Sequence, residues 1–341
     1  MTGWTRRNRR RAAAALATGV LAALAVACSG GGDGAGDRER AGAGPGSTTS
    51  TTALGAGVTV TAPVVPPGGF EVATHTETLV DDTRPTQDLP DTGVPPSDSR
   101  TLVTTFTYPD APGRFPLLVF AHGHNGHPRK FSELFAAWAA AGFVVAAPTF
   151  PLSNDEVPGR ATVFDLASQP GDMSFVISES LRLAGEPGSF LQGRVNPEEI
   201  AVGGLSLGGA TAYQVAFDDC CLDPRVDAVM ALEAPHPDTS GLDLASGLPL
   251  LVMHADQDPV IPYTQGEEAF AAAAAPKYFV TIHEAAHASP YEDTPDPADA
   301  MVIDTTTAFW RLYVAHDAGA AVDLSEAARV QGLTTVVEQP G

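Results

Sequence analysis

Short apolar runs alternate with stretches of helical period through most of the chain. Phe70 to Val80 alternates polar and apolar side chains, as an edge strand does. A Pro-, Asp- and Thr-rich surface loop follows over 81–99. Arg100 to Tyr108 alternates again, with β-branched residues, and reads as a second strand. Phe115 to Ala121 is continuously apolar, the pattern of a strand covered on both faces. Phe131 to Ala141 carries Phe131, Leu134, Phe135 and Trp138 on one helical stripe, and Gly142 ends it. Phe143 to Ala147 is another buried strand, and residues 151–172 form a long loop. Met173 to Leu183 is helical. Ile200 to Gly203 is a short buried strand, with a helix over Gly209 to Phe217. Strands follow at Val226 to Leu232 and Leu250 to His254. Glu267 to Ala275 is helical, Tyr278 to Ile282 is a strand, and Asp304 to Val314 closes the chain as a helix. Strands alternating with helices predict an α/β domain: a mostly parallel central sheet with helices on both faces.

This pattern fails at the N-terminus. Arg6, Arg7, Arg9, Arg10 and Arg11 precede an apolar stretch, Ala12 to Ala27, that ends in small residues. At about 16 residues it is shorter than a bilayer-spanning helix needs, and it reads as an export signal over 1–27. Leu24-Ala25-Val26-Ala27-Cys28 resembles a bacterial lipobox, which implies lipidation of Cys28 and anchoring at the outer face of the cell membrane. Plain secretion with a free Cys28 is the alternative. Residues 28–68 have few large apolar side chains and read as a flexible tether. The catalytic-size unit is 69–341.

Composition narrows the function classes. The formal charge is −22, and removal of the five signal arginines takes it to −27. A phosphate backbone wants a basic face, so nucleic acid is excluded as a partner. A monomer is expected. Of the three cysteines, Cys220 and Cys221 are neighbours, and the strained ring they would close argues against a bond. No Cys-x-x-Cys metal pattern is present.

The chemistry centres on Gly204-Leu205-Ser206-Leu207-Gly208. A serine hydroxyl is a weak nucleophile that needs a base and a set of oxyanion donors. Here a buried strand meets a helix through a tight glycine-flanked turn, which throws Ser206 out at the top. Beyond the strand Leu250 to His254 stands Asp258, the candidate acid, with Asp256 its competitor and Glu233 a weaker alternative. Carboxyl ends of strands are where ligand sites form in such sheets. His287 follows the strand at Tyr278 to Ile282 and is the candidate base. His283, at that strand's end, is read as a polar strand-end residue. The order Ser, Asp, His fits nucleophile, acid and base. The oxyanion donors are the amides of Leu207 and of His124, in the loop His122-Gly123-His124-Asn125-Gly126-His127. Phe150, His236 and Tyr291 are candidates for the substrate side.

The chain resembles α/β hydrolases of the platelet-activating-factor acetylhydrolase-like and chlorophyllase-like type, with dienelactone hydrolases and bacterial cutinases as cousins. The resemblance rests on Val80-Asp81-Asp82-Thr83-Arg84-Pro85-Thr86, Pro116 to Gly123, Gln169-Pro170-Gly171-Asp172, Asp223 to Ala228 and Thr306 to Trp310. It implies the α/β-hydrolase fold and an ester-cleaving mechanism without cofactor. It assigns Ser206 as nucleophile, Asp258 as acid, His287 as base, and the His124 and Leu207 amides as oxyanion donors. It leaves the acyl group of the ester open, and Asp172 reads as structural. Two other functions compete. One is a noncatalytic surface-binding lipoprotein on the same fold. The other is a zinc hydrolase, because His122, His124 and His127 resemble the H-x-H-x-x-H motif of metallo-β-lactamase-fold enzymes, although Gly126 stands where that family has Asp.

Overall fold

A computed structural model describes residues 63–236 and 242–341. The signal, Cys28 and most of the tether lie outside the described residues. Nine strands form one sheet: β1 (Val72–Asp81), β2 (Arg100–Pro109), β3 (Phe115–Ala121), β4 (Val144–Thr149), β5 (Val195–Leu205), β6 (Ala228–Leu232), β7 (Leu250–Ala255), β8 (Lys277–Ile282) and β9 (Thr334–Gln339). Their spatial order is β1-β2-β4-β3-β5-β6-β7-β8-β9. The six strands from β4 to β8 run parallel, while β1, β2 and β9 pair antiparallel at the edges. Helices α1 (Ser132–Ala140), α2 (Gln169–Gly185), α3 (Leu207–Phe217), α4 (Tyr263–Ala272), α5 (Asp299–Tyr313) and α6 (Ala320–Ala327) complete the described part.

Period-two alternation explains how apolar runs serve two cores. On β3, Leu117, Val119 and Ala121 enter one cluster, together with Met173, Val176 and Ile177 of α2 and Tyr213 of α3. Leu118 and Phe120 enter the other, with Phe135 and Trp138 of α1 and Phe309 and Trp310 of α5. Successive side chains point to opposite faces, so a strand between two helical layers must be apolar throughout.

Several expectations shift by a few residues. Helix α2 starts at Gln169 inside the anticipated loop, with Pro170 in its first turn, where a missing N–H costs nothing. Helices α4 and α5 start four and five residues earlier than the apolar pattern implied. Strand β9 and helix α6 were not anticipated; β9 is an edge strand with alternately exposed residues. Cys220 and Cys221 form a disulfide, contrary to the expectation from ring strain. Asp218 shapes that turn: its carboxylate accepts the Cys220 amide at 3.1 Å and its carbonyl the Cys221 amide at 2.9 Å.

A buried ionic cluster ties the anticipated long loop to the sheet. Arg100, the first residue of β2, donates to both Asp172 oxygens at 2.7 and 2.8 Å and to Asp165 at 2.7 Å. All three side chains are fully buried. Asp165 also accepts from Leu152 N–H and Ser153 Oγ, and Gln169 then bridges Ser153 to Thr211 of α3.

Candidate active site

The chain steps from β3 outward to β4 and returns to β5 on the other side of β3. The loops after β3 and β5 therefore leave the sheet side by side, at the switch point where open α/β sheets bind ligands. Ser206 sits there, between the end of β5 and the start of α3. Its backbone has φ 57° and ψ −119°, and its N–H donates to Leu232 O at 2.8 Å. Seven non-glycine residues have positive φ among those described, and five of them, Asn125, Ser206, Glu233, Glu284 and Ala288, lie in loops beyond β3, β5, β6 and β8. Strain of this kind concentrates at functional sites.

The elbow needs its glycines for space. A Cβ on Gly208 would overlap Ala121 O, and one on Gly123 would lie 3.2 Å from Ser206 Cβ. Gly123 thus brings the β3 loop directly against the serine. The next amide, that of His124, donates to no acceptor among the described residues. Leu207 is the first residue of α3, where the N–H has no intrahelical partner and the helix dipole is positive. Both amides are thereby available to a developing anion.

The three imidazoles of that loop do not converge. His122 is buried, accepts Phe150 N–H on Nε2 at 3.0 Å and donates from Nδ1 to Gly123 O at 2.7 Å. Burial pushes it down to about 4, so it stays neutral. His124 donates from Nε2 to Ala161 O at 3.0 Å. His127 accepts Arg129 N–H on Nδ1 and faces Glu156 with Nε2. Each ring is spent on a separate local contact, which overturns the zinc alternative.

The base and its partners come from β6, β7 and β8. His287 Nδ1 donates to Asp258 Oδ2 at 2.6 Å. Asp258 Oδ1 accepts Val260 N–H at 2.7 Å and Ile261 N–H at 3.0 Å. In the neutral ring Nδ1 keeps its proton and Nε2 carries the lone pair; neither Nε2 nor Ser206 Oγ has a hydrogen-bond partner among the described residues. Nucleophile and base in hydrolases often tighten only when substrate binds. Glu233, at the end of β6, also reaches Nδ1, at 2.9 Å, and its Oε2 accepts Ala288 N–H at 2.8 Å. The other pair separates cleanly: His283 bonds Asp256 at 2.8 Å and Thr335 of β9 at 2.8 Å, which makes both structural.

Burial opposes charge on all three groups. In Asp258 it is outweighed by the His254 and His287 rings and the Val260 amide, which hold the carboxyl well below its usual range. In Glu233 burial wins, and the pKa rises. His287 gains more from its contacts with Asp258 and Glu233 than burial removes, and is pushed up to about 9.

The expected substrate-side residues are placed differently. Phe150 is fully buried in the core, its ring 4.9 Å from that of His122. Its place is a packing position: its N–H donates to His122 Nε2 and its side chain belongs to the core cluster on that face of the sheet. Tyr291 is 3% exposed and lies near Glu233 and Asp258, where burial and then those two charges raise its hydroxyl pKa. His236 donates its N–H to Gln265 Oε1 at 2.9 Å and immediately precedes the undescribed residues 237–241. Glu233 carries more than sequence reasoning gave it; its signal was a carboxylate directly after a buried strand.

The chlorophyllase family model matches residues 91–235. The match spans β2 to the Glu233 turn, includes His124, Ser206 and Leu207, and ends before Asp258 and His287. It agrees with the resemblance to chlorophyllase-like proteins, an α/β-hydrolase-type family, and with the mostly parallel, doubly covered sheet. The fold is that of an α/β hydrolase, and the family points to hydrolysis of esters. No curated protein matches the chain.

Proposed function

We propose that the chain is a serine carboxylic-ester hydrolase. His287 Nε2 takes the Ser206 hydroxyl proton as Oγ attacks the ester carbonyl carbon. The Leu207 and His124 amides bind the tetrahedral oxyanion. Asp258 keeps Nδ1 protonated and stabilises the imidazolium. His287 returns its proton to the departing alcohol, and water then releases the acid from Ser206 by the same route. No metal or cofactor enters these steps. We further propose that the chain is exported and held at the membrane by lipid on Cys28, from the pattern Leu24 to Cys28.

The observation that carries the reading is the left-handed Ser206 at the switch point, with unpaired amides beside it and a His–Asp pair at 2.6 Å from neighbouring strand ends. Hydrolysis of p-nitrophenyl esters of short and long acyl chains tests it. Ser206→Ala should lower kcat by at least about 10³-fold on every ester that the wild type cleaves. Equal turnover by the two proteins would refute the reading in favour of a noncatalytic binding protein.

A further inference from the structure

Two carboxylates from different strand ends meet one imidazole nitrogen. His287 Nδ1 lies 2.6 Å from Asp258 Oδ2 and 2.9 Å from Glu233 Oε2. A serine hydrolase needs one acceptor there to fix the tautomer. Asp258, locked by two amides, already fills that need. Glu233 is fully buried all the same, and burying a second carboxylate is costly unless it is compensated. The compensation is specific. Glu233 Oε2 accepts the Ala288 amide as well as facing Nδ1, so one oxygen holds both the ring and the backbone beside it. Ala288 has φ 70° and Glu233 has φ 43°, conformations that a residue with a Cβ keeps only when it is held. Leu232, just before Glu233, accepts the Ser206 amide. One short segment therefore contacts the nucleophile's backbone on one side and the base's loop on the other.

We propose that Glu233 is a positioning residue that, with Asp258, grips His287 between two carboxylates and locks its loop against the strand end beside Ser206. The proposal rests on the serine-hydrolase reading above. A second carboxylate favours the imidazolium that forms when Ser206 loses its proton. It also keeps the resting ring protonated to higher pH, and a protonated ring is not a base. Activity should therefore climb as pH rises. The titratable groups at the ring are Asp258 from the β7 side, Glu233 from β6 and Glu292 from its own loop; behind them, His254 lies 3.6 Å from Asp258, Tyr291 sits near both carboxylates, and Lys130 is 3.8 Å from Glu292.

The test is kcat/KM against pH on a p-nitrophenyl ester, for wild type, Glu233→Gln, Asp258→Asn and the double variant, with Ser206→Ala as baseline. The wild-type acidic limb should lie at about 9. Glu233→Gln keeps the shape and an acceptor for Ala288 but removes the charge. Its limb should move down by about 1–3 units, the effect of one charge at this range. Asp258→Asn should stay above the Ser206→Ala baseline, and Glu233→Gln should cost more in that background than in the wild type. An unmoved limb, or losses that simply multiply, would overturn the proposal and leave the hydrolase reading intact. Wild-type activity in Ser206→Ala would overturn the hydrolase reading instead. Should Glu233→Gln fail to fold, NMR titration of the His287 ring in the wild type decides. A midpoint above about 7.5 supports the grip, and one at or below that value overturns it.

Discussion

Replacing Arg100 by methionine removes the only cation among the described residues that touches both Asp165 and Asp172. In the wild type it donates three hydrogen bonds of 2.7–2.8 Å to carboxylates with no exposure to solvent. Methionine fills most of the volume, so little of the loss is cavity. The cost comes from leaving two buried carboxylates without their shared partner; Asp172 keeps Arg84 at 2.9 Å, and Asp165 keeps only the Leu152 amide and the Ser153 hydroxyl. Breaking a buried pair in this way costs about 3–5 kcal/mol. For a domain of this size that lowers the melting temperature by roughly 6–20 °C. The loss should depend on pH. Burial already pushes Asp172 up to about 6, against the pull of Arg100 and Arg84. Without Arg100 its folded-state pKa rises further above the unfolded value. A carboxyl raised in the folded state stabilises below its unfolded pKa and loses that contribution as pH rises through the folded one. The gap between variant and wild type should be widest near pH 8 and narrow toward pH 5. Asp172→Asn, which imitates protonation, should cost less than Arg100→Met. Urea unfolding followed by circular dichroism measures all three proteins. A loss below about 1 kcal/mol for Arg100→Met, or a larger loss for Asp172→Asn, would refute this account of the cluster.

Gly208→Ala forces a methyl onto Ala121 O, a backbone atom that cannot swing aside. It should destabilise the domain by about 1–3 kcal/mol and lower kcat/KM further by shifting Ser206; an unchanged urea midpoint would count against the close-packed elbow. Cys28→Ser, expressed in a host that lipidates exported proteins, should move the protein from the detergent phase to the aqueous phase; unaltered partition would remove the anchor.

Legibility from sequence followed locality. The Ser206 elbow could be read because strand, turn and helix are contiguous and the glycines mark where backbones touch. The buried strands could be read because a strand between two cores has no polar face. Asp258 and Asp256 were harder to separate, being two residues apart on one turn. The folded turn divides them: Asp258 is fixed by the Val260 and Ile261 amides and meets His287, while Asp256 meets His283. The second grip on His287 was beyond local pattern. Glu233 and Ala288 are 55 residues apart, and only the parallel neighbours β6, β7 and β8 bring them together. Strand β9 is half exposed and weakly apolar, so nothing but its pairing with β8 declares it. The Cys220–Cys221 bond depended on the turn set by Asp218, which no spacing rule reports.

Phe70 donates its N–H to Ala140 O at 2.8 Å, and its ring packs 5.4 Å from Phe115, the first residue of β3. Val72 pairs with Pro109, at the end of the sheet where the parallel strands start. Ser206, Glu233, Asp258 and His287 all stand past the ends where those strands finish. The first described residues therefore reach the domain at the pole opposite the serine. An attachment at that pole leaves the Ser206 side clear of the point where the chain enters the domain.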